Sequence, residues 1–331
     1  MRDSRGRRVE YLRLSLTERC NLACLYCHGE FRHGEFPRDE IRHNESRAGA
    51  ELSIAEIGKL IRCVRALGIT KVRLTGGEPL LRRDLEEITA RVAAEIRDVA
   101  MTTNAQGLAR RAAALKKAGL GRVNISLDSL KPGRYRDITR GGRLEETLDG
   151  IQAALAWGLT PVKLNCVIQR GRNDDEVGAF IALAREQPLH LRFIELMPFG
   201  EPAAAELRVC SAEILASHGE LRELEPDRSS EPGLGGDNAV LYTGPGFRGT
   251  VGFISPLSRP FCPTCGRIRI SADGALRPCL GNNAELDLRP LLAGPDAALR
   301  SAIEAGILGK PEGHHFGAGF VSQRSMDRIG G

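Results

Sequence analysis

Six of the nine cysteines in this chain of 331 residues fall into two tight groups, and thiols grouped this way can bind metal. The first group, Cys20, Cys24 and Cys27, has the spacing Cys-x3-Cys-x2-Cys and directly follows an alternating, strand-like run. Three close thiolates on one loop can hold three corners of an iron–sulfur cube, and with no fourth cysteine nearby one iron stays open to bind something else. Zinc asks for a fourth protein ligand within short reach. His28 adjoins the group, but its place directly after Cys27 makes joint coordination strained. A disulfide would leave an odd thiol. The second group, Cys262, Cys265 and Cys279, has the spacing Cys-x2-Cys-x13-Cys. By itself it reads as a zinc ribbon short of one ligand. Beside another three-thiol set it suggests a second cluster with an open iron, and spacing favours iron–sulfur over zinc without closing the choice. Cys63, Cys166 and Cys210 are scattered and read as core or surface thiols.

Positioning these groups falls to a strand-then-helix rhythm between residues 11 and 225. The strand-like runs are 11–17, 71–76, 99–104, 122–128, 161–168 and 191–197, with helical patterns between them. The clearest helix starts at Ser53, whose capping-box partner is Glu56, and stops at Gly68. Such alternation implies βαβ units and a parallel sheet. Six units fit an open, partial (β/α)6 barrel better than a closed eightfold one, with a doubly wound sheet as the other reading.

The strands themselves alternate, as in Leu12-Arg13-Leu14-Ser15, Val72-Arg73-Leu74-Thr75 and Val162-Lys163-Leu164-Asn165. One face is then apolar and can meet the helices. The other is polar and often cationic, so a curled sheet lines its lumen with Arg13, Arg73, Lys163 and Arg192. Buried cations without partners are costly. The cavity should therefore hold an anion, and a polyphosphate suits it. A solvated antiparallel face is the plainer alternative, and the intervening helices speak against it.

After residue 225 the texture changes. A Pro-, Gly-, Ser- and charge-rich stretch (226–246) reads as a linker, and 247–331 as a C-terminal region with short strands, the second thiol group and a brief helical pattern near 296–306. Within that region Arg267 and Arg269 lie two apart and can point into the same cavity. A net charge of +5 is too mild to argue for nucleic acid. No apolar run approaches a membrane span, and the basic N-terminus lacks the apolar core of a secretory signal, so a cytoplasmic location is expected.

The chain resembles a known family. "CNLACLYC" is similar to the CxxxCxxC signature of radical S-adenosylmethionine (SAM) enzymes, and "LTGGEPLLR" to their GGEP motif. "YLRLSLTERCN", "KVRLTGGEP", "MTTN", "VNISLDSL", "VKLNCVI", "LRFIELM", "GTVGFISP", "FCPTCGRIRIS" and the terminal "IGG" resemble, in order and over almost the whole chain, the GTP 3′,8-cyclases of molybdenum-cofactor biosynthesis. The resemblance implies a radical-SAM-type partial barrel with a C-terminal extension carrying a second iron–sulfur cluster. It implies two [4Fe–4S] clusters, one on Cys20, Cys24 and Cys27 and one on Cys262, Cys265 and Cys279. SAM would meet Tyr26, Gly77, Glu78, Ser126 and Met197. GTP would meet Arg13, Arg73, Thr102, Lys163 and the run Arg267-Ile268-Arg269, with Lys71 and Arg192 also supporting the triphosphate. Gly330-Gly331 would reach into the active site, where a tail without side chains fits beside a packed substrate.

By the same resemblance, a 5′-deoxyadenosyl radical would abstract hydrogen from ribose C3′ of GTP, and the carbon radical would attack guanine C8. One electron would then complete 3′,8-cyclo-7,8-dihydro-GTP. Arg13, Arg267, Arg269, Gly330 and Gly331 would serve that catalysis. An electron donor and an enzyme converting the product to cyclic pyranopterin monophosphate are implied partners, a homodimer is an allowed assembly, and neither membrane nor nucleic acid is expected. The rivals are another radical SAM enzyme with an auxiliary cluster, such as a peptide modifier, a zinc-stabilised nucleic-acid-binding protein, and an electron-transfer protein. The sequence departs from the commonest family pattern at "HGEF" after Cys27, in the charged stretch that follows it, and at Ala105.

Overall fold

All six alternating runs form strands. They are β1 (Tyr11–Ser15), β2 (Lys71–Thr75), β3 (Asp98–Thr103), β4 (Arg122–Ser126), β5 (Val162–Ile168) and β6 (Leu189–Glu195). The structure, a computed structural model, describes residues 1–27, 51–199, 205–218, 225–226, 238–243, 246–316 and 320–330. The unusual stretch after Cys27 and Gly331 lie outside the described residues. Between the strands run α1 (Ile54–Ala66), α2 (Leu85–Ala93), α3 (Leu108–Lys117), α4 (Pro132–Thr139), α5 (Leu144–Ala156) and α6 (Val177–Glu186). The capping box at α1 is present: the Glu56 amide donates to Ser53 Oγ, and Glu56 accepts from the Ser53 amide at 2.8 Å. Satisfying two otherwise orphaned amides this way is worth about 1 kcal/mol.

β1 to β6 pair side by side in chain order, all parallel, as crossover helices require. Beyond β6 come α7 (Ser211–Ser217), β7 (Glu225–Pro226), β8 (Val240–Thr243), β9 (Thr250–Ile254), β10 (Arg267–Ile270), β11 (Ala275–Arg277), β12 (Leu286–Asp287), α8 (Asp296–Leu308) and α9 (Met326–Ile329). Their pairing differs from a free-standing extension. β9 joins the β6 edge in parallel and β10 joins the β1 edge in parallel, so the order β10-β1-β2-β3-β4-β5-β6-β9 is one parallel run. Residues 255–266 lead from one edge of the sheet to the other and carry Cys262 and Cys265. The local pattern of β9 and β10 says strand, but not which edge each will join.

The two faces of the strands separate as the alternation requires. Leu12, Leu14, Val72, Leu74, Val99, Met101, Val123, Ile125, Leu164 and Leu191 share one buried cluster with Ile57, Leu60, Ile61 and Val64 of α1 and their counterparts on the other helices. Burying each such side chain contributes about 1.5–3 kcal/mol. Cys63 and Cys166 lie in that core. No helix among the described residues is long and apolar enough to cross a membrane.

Candidate functional site

The inner face of the sheet carries the cations. Arg13, Arg73, Lys163, Arg192 and Arg269 are only 2–9% exposed. Register sets three of them in a row, because Arg13 of β1 stands opposite Arg73 of β2 on one side and Arg269 of β10 on the other. Neighbouring strands lie about 4.8 Å apart. Like charges so placed repel, and burial takes away the water that would screen them. The Arg13 guanidinium is accordingly pushed down, first by burial and then by Arg269, and Arg269 is pushed down to about 10 by burial and then Arg267. Below that row Tyr11 stands opposite Lys71 and Arg267, with the guanidinium carbons of Arg73 and Arg267 at 5.4 and 5.7 Å from its ring centroid. Among the described residues, Arg13 Nε, Thr102 Oγ1, Asn124 Oδ1, Asn165 Oδ1 and the Tyr11 hydroxyl are buried without a hydrogen-bond partner. So many orphaned polar atoms on one inner wall describe a site built for a polar, anionic ligand.

The first thiol trio sits where β1 ends. The Cys27 thiol shares a hydrogen bond with Cys24, with Cys20 alongside, and the Leu22 amide points at Cys20 Sγ at 3.4 Å. Burial, then the Glu78 carboxylate, pushes the Cys20 thiol up. Gly76 and Gly77 hold the loop in place. A Cβ at Gly77 would lie 2.3 Å from the Arg19 carbonyl oxygen, and one at Gly76 would lie 2.6 Å from that of Thr17. The close approach that these glycines permit is thus to the backbone of the thiol loop itself. Glu78 is 1% exposed and braces the next turn, accepting from the Leu80 amide at 3.0 Å, the Thr103 hydroxyl at 2.7 Å and the Asn104 amide at 2.7 Å. Burial raises its carboxyl to about 7. Tyr26 donates to Asp128 at 2.8 Å, which also accepts from the Val167 amide at 2.9 Å.

The second trio belongs to the opposite end of the lumen. β10 runs parallel to β1, so Cys265, just before β10, lies near the level of Tyr11, whereas Cys20 follows the far end of β1. Four residue steps along β1 put the two levels about 13 Å apart. Cys262 and Cys265 both act electrostatically on the Cys279 thiol, so the three thiols lie together. Burial pushes Cys265 up, but Lys310, Arg267 and Arg269 outweigh it, and the net shift is downward. No three His, Cys, Asp or Glu side chains among the described residues converge as the ligands of one ion do. The thiols of a cube each take a different iron and stand further apart than zinc, with bonds of roughly 2.3 Å to sulfur, allows. Two grouped, half-buried thiol trios at the ends of one lumen suit two such cubes.

The C-terminal tail enters the same space. The Met326 amide donates to the Cys27 carbonyl at 3.1 Å, and Met326 and Ile329 pack with Phe199, Phe316, Met197 and Cys27. Arg269 Nη1 donates to the Gly330 carbonyl at 2.7 Å. Gly330 has φ +78°, and a Cβ there would meet Thr75 Cγ2 at 2.8 Å and Ser15 Cβ at 3.1 Å. Only glycine fits this backbone and this gap.

Most of the expected residues therefore meet around one lumen. Gly331 lies outside the described residues, and Ile268 departs from the expectation because its side chain is buried in the helix-facing core and only its backbone borders the cavity. Tyr11, Asn124 and Asn165 were missed although the same two-residue period runs through them. Asp128 continues the two-residue alternation of residues 123–128, while Lys310 gives no usable local signal.

A profile of the Radical SAM superfamily matches residues 14–184, and one described as Molybdenum Cofactor Synthesis C matches residues 189–316. The chain is 45% identical to the "GTP 3′,8-cyclase" of Pelotomaculum thermopropionicum over 338 aligned positions, covering all of both chains. It is 44% identical to that of Moorella thermoacetica, again covering all of both. Among solved structures, Streptococcus suis SuiB bound to S-adenosylmethionine superposes with a TM-score of 0.56 at 13% identity, over 93% of this chain and 73% of that one. At that identity the likeness speaks for the fold alone.

Proposed function

The chain belongs to the radical SAM superfamily and, within it, to the GTP 3′,8-cyclases of molybdenum-cofactor synthesis, and on that premise we propose how its residues serve the reaction. It is an enzyme that converts GTP to 3′,8-cyclo-7,8-dihydro-GTP, the first step of the pathway. When bound, SAM and a cluster on Cys20, Cys24 and Cys27 would supply the radical chemistry, and a cluster on Cys262, Cys265 and Cys279 would supply an open iron at the guanine end.

Cys20, Cys24 and Cys27 hold the first cluster, and Cys262, Cys265 and Cys279 the second. Tyr26, Gly77, Glu78, Ser126 and Met197 form the SAM side of the lumen. Glu78 acts there mainly by fixing the turn at Thr103 and Asn104, since both its oxygens already accept hydrogen bonds. Arg13, Arg73, Lys163, Lys71 and Arg192 take the triphosphate, and Thr102 with Asn124 and Asn165 offers neutral contacts. Arg267, the Ile268 backbone and Arg269 border the guanine end. Gly330, held by Arg269, closes the space above it and keeps water out, and Gly331 belongs to the same tail by the family resemblance.

One observation carries this reading: the buried, in-register row Arg269–Arg13–Arg73. An anion of several charges relieves its repulsion and satisfies its donors in pairs. Anaerobic incubation of the reconstituted protein with SAM, a reductant and GTP should yield 5′-deoxyadenosine and a cyclised nucleotide. Formation of 5′-deoxyadenosine with GTP returned intact would refute this use of the cavity.

The remaining assignments belong to the same reading. We assign residues 1–225 to the radical SAM barrel and 247–331 to the region that carries the second cluster and the tail; the expected linker 226–246 is shortened, because β8 at its C-terminal end pairs with β9 as part of the sheet. A low-potential electron donor and an enzyme that forms cyclic pyranopterin monophosphate are the partners of this reading. A reducing cytoplasm suits nine thiols, six of them grouped as ligands.

A further inference from the structure

Lys310 lies just beyond α8 and is 4% exposed. Its ammonium donates to the carbonyl of Arg267 at 2.8 Å and to that of Pro278 at 2.6 Å. Those carbonyls stand two residues after Cys265 and one before Cys279. Among the described residues no carboxylate pairs with Lys310. Its neighbour Arg7 is different. Arg7 donates to the carbonyls of Cys262 at 3.1 Å, Glu312 at 3.0 Å, Lys310 at 3.2 Å and Pro311 at 2.7 Å, but its charge is balanced by Asp3 at 2.6 Å. A buried ammonium with only carbonyl partners needs an anion nearby, and the nearest candidates are the thiolates of the second trio.

Resting on the reading that this trio holds a [4Fe–4S] cluster, we propose that Lys310 is its positioning and charge-balancing residue, stabilising the cluster's reduced form. One electron from a low-potential donor takes a cube bound by three thiolates from one net negative charge to two. A fixed buried cation favours the second state over the first.

The test uses the full chain with Cys20, Cys24 and Cys27 all changed to Ser, so that only the second cluster is loaded. Iron content and the midpoint potential, from a mediated dithionite titration followed by electron paramagnetic resonance, are compared among the parent, Lys310→Met and Lys310→Arg. At fixed applied potential the reduced-to-oxidised ratio should fall about tenfold in Lys310→Met, which is about 59 mV for one electron. Lys310→Arg should stay near the parent. A folded Lys310→Met protein that fails to load iron, while Lys310→Arg loads it, supports the same role. Full loading with an unchanged potential overturns it. So does an iron-free Lys310→Met protein that cannot fold, because the charge would then serve the fold and not the cluster. If the parent itself takes up no cluster on Cys262, Cys265 and Cys279, the underlying cofactor assignment fails instead.

Discussion

Replacing Arg13 by Met should stabilise the empty protein and weaken its grip on GTP, two effects of opposite sign from one substitution. Arg13 is buried between Arg269 and Arg73 and forms no ion pair among the described residues. Unit charges on neighbouring strands about 4.8 Å apart, their tips splayed somewhat further, repel at an effective dielectric near 20 by on the order of 2 kcal/mol per pair. Removing the middle charge therefore relieves up to about 4 kcal/mol, part of it lost again with the packing of the side chain. With a nucleotide in place the balance reverses. A charge-assisted hydrogen bond to phosphate contributes about 1.5–3 kcal/mol, so the dissociation constant should rise by roughly 10- to 150-fold. Thermal melts of reconstituted protein without nucleotide should show a higher midpoint for the variant, by several degrees. Isothermal titration should show weaker GTP binding, with guanosine much less affected. A variant that melts lower than the parent and binds GTP as well as the parent does would mean that the row is not an anion site.

Three other perturbations separate the parts of the cavity. Cys24→Ser should cut bound iron from about eight per chain to about four and stop 5′-deoxyadenosine formation, and retained SAM cleavage would remove the first trio from the chemistry. Gly330→Val should undock the tail, since its Cβ would strike Thr75 and Ser15; SAM and GTP binding should persist while cyclised product is lost, and full activity would deny the tail a role. Burial raises the Asp128 carboxyl from its ordinary value of 3.8 to about 6. Between those values the unfolded chain ionises while the folded one keeps its proton, so stability falls as pH rises through that window, by about 3 kcal/mol in all. Asp128→Asn should remove that part of the slope in urea titrations of the iron-free protein, and an unaltered slope would contradict it.

The sequence by itself determined which residues are cations, which are ligands and which face of each strand they occupy. A period of two in β1, β2, β4 and β5 is enough to send Leu12 and Leu14 one way and Arg13 the other, because successive side chains on a strand must point to opposite faces. The thiol spacings likewise fixed two three-ligand loops, and Ser53 with Glu56 fixed the start of α1. What the tertiary structure alone decided is which of these features become neighbours. Nothing local to "GRIRI" says that β10 will lie against β1 and bring Arg269 level with Arg13. Nothing near Lys310 says that its ammonium will reach carbonyls beside Cys265 and Cys279. Those contacts join residues far apart in the chain, and their free energy arises only once the sheet has curled around a buried row of charge. Periodicity is a property of neighbours in sequence, while the electrostatics of this site is a property of neighbours in space.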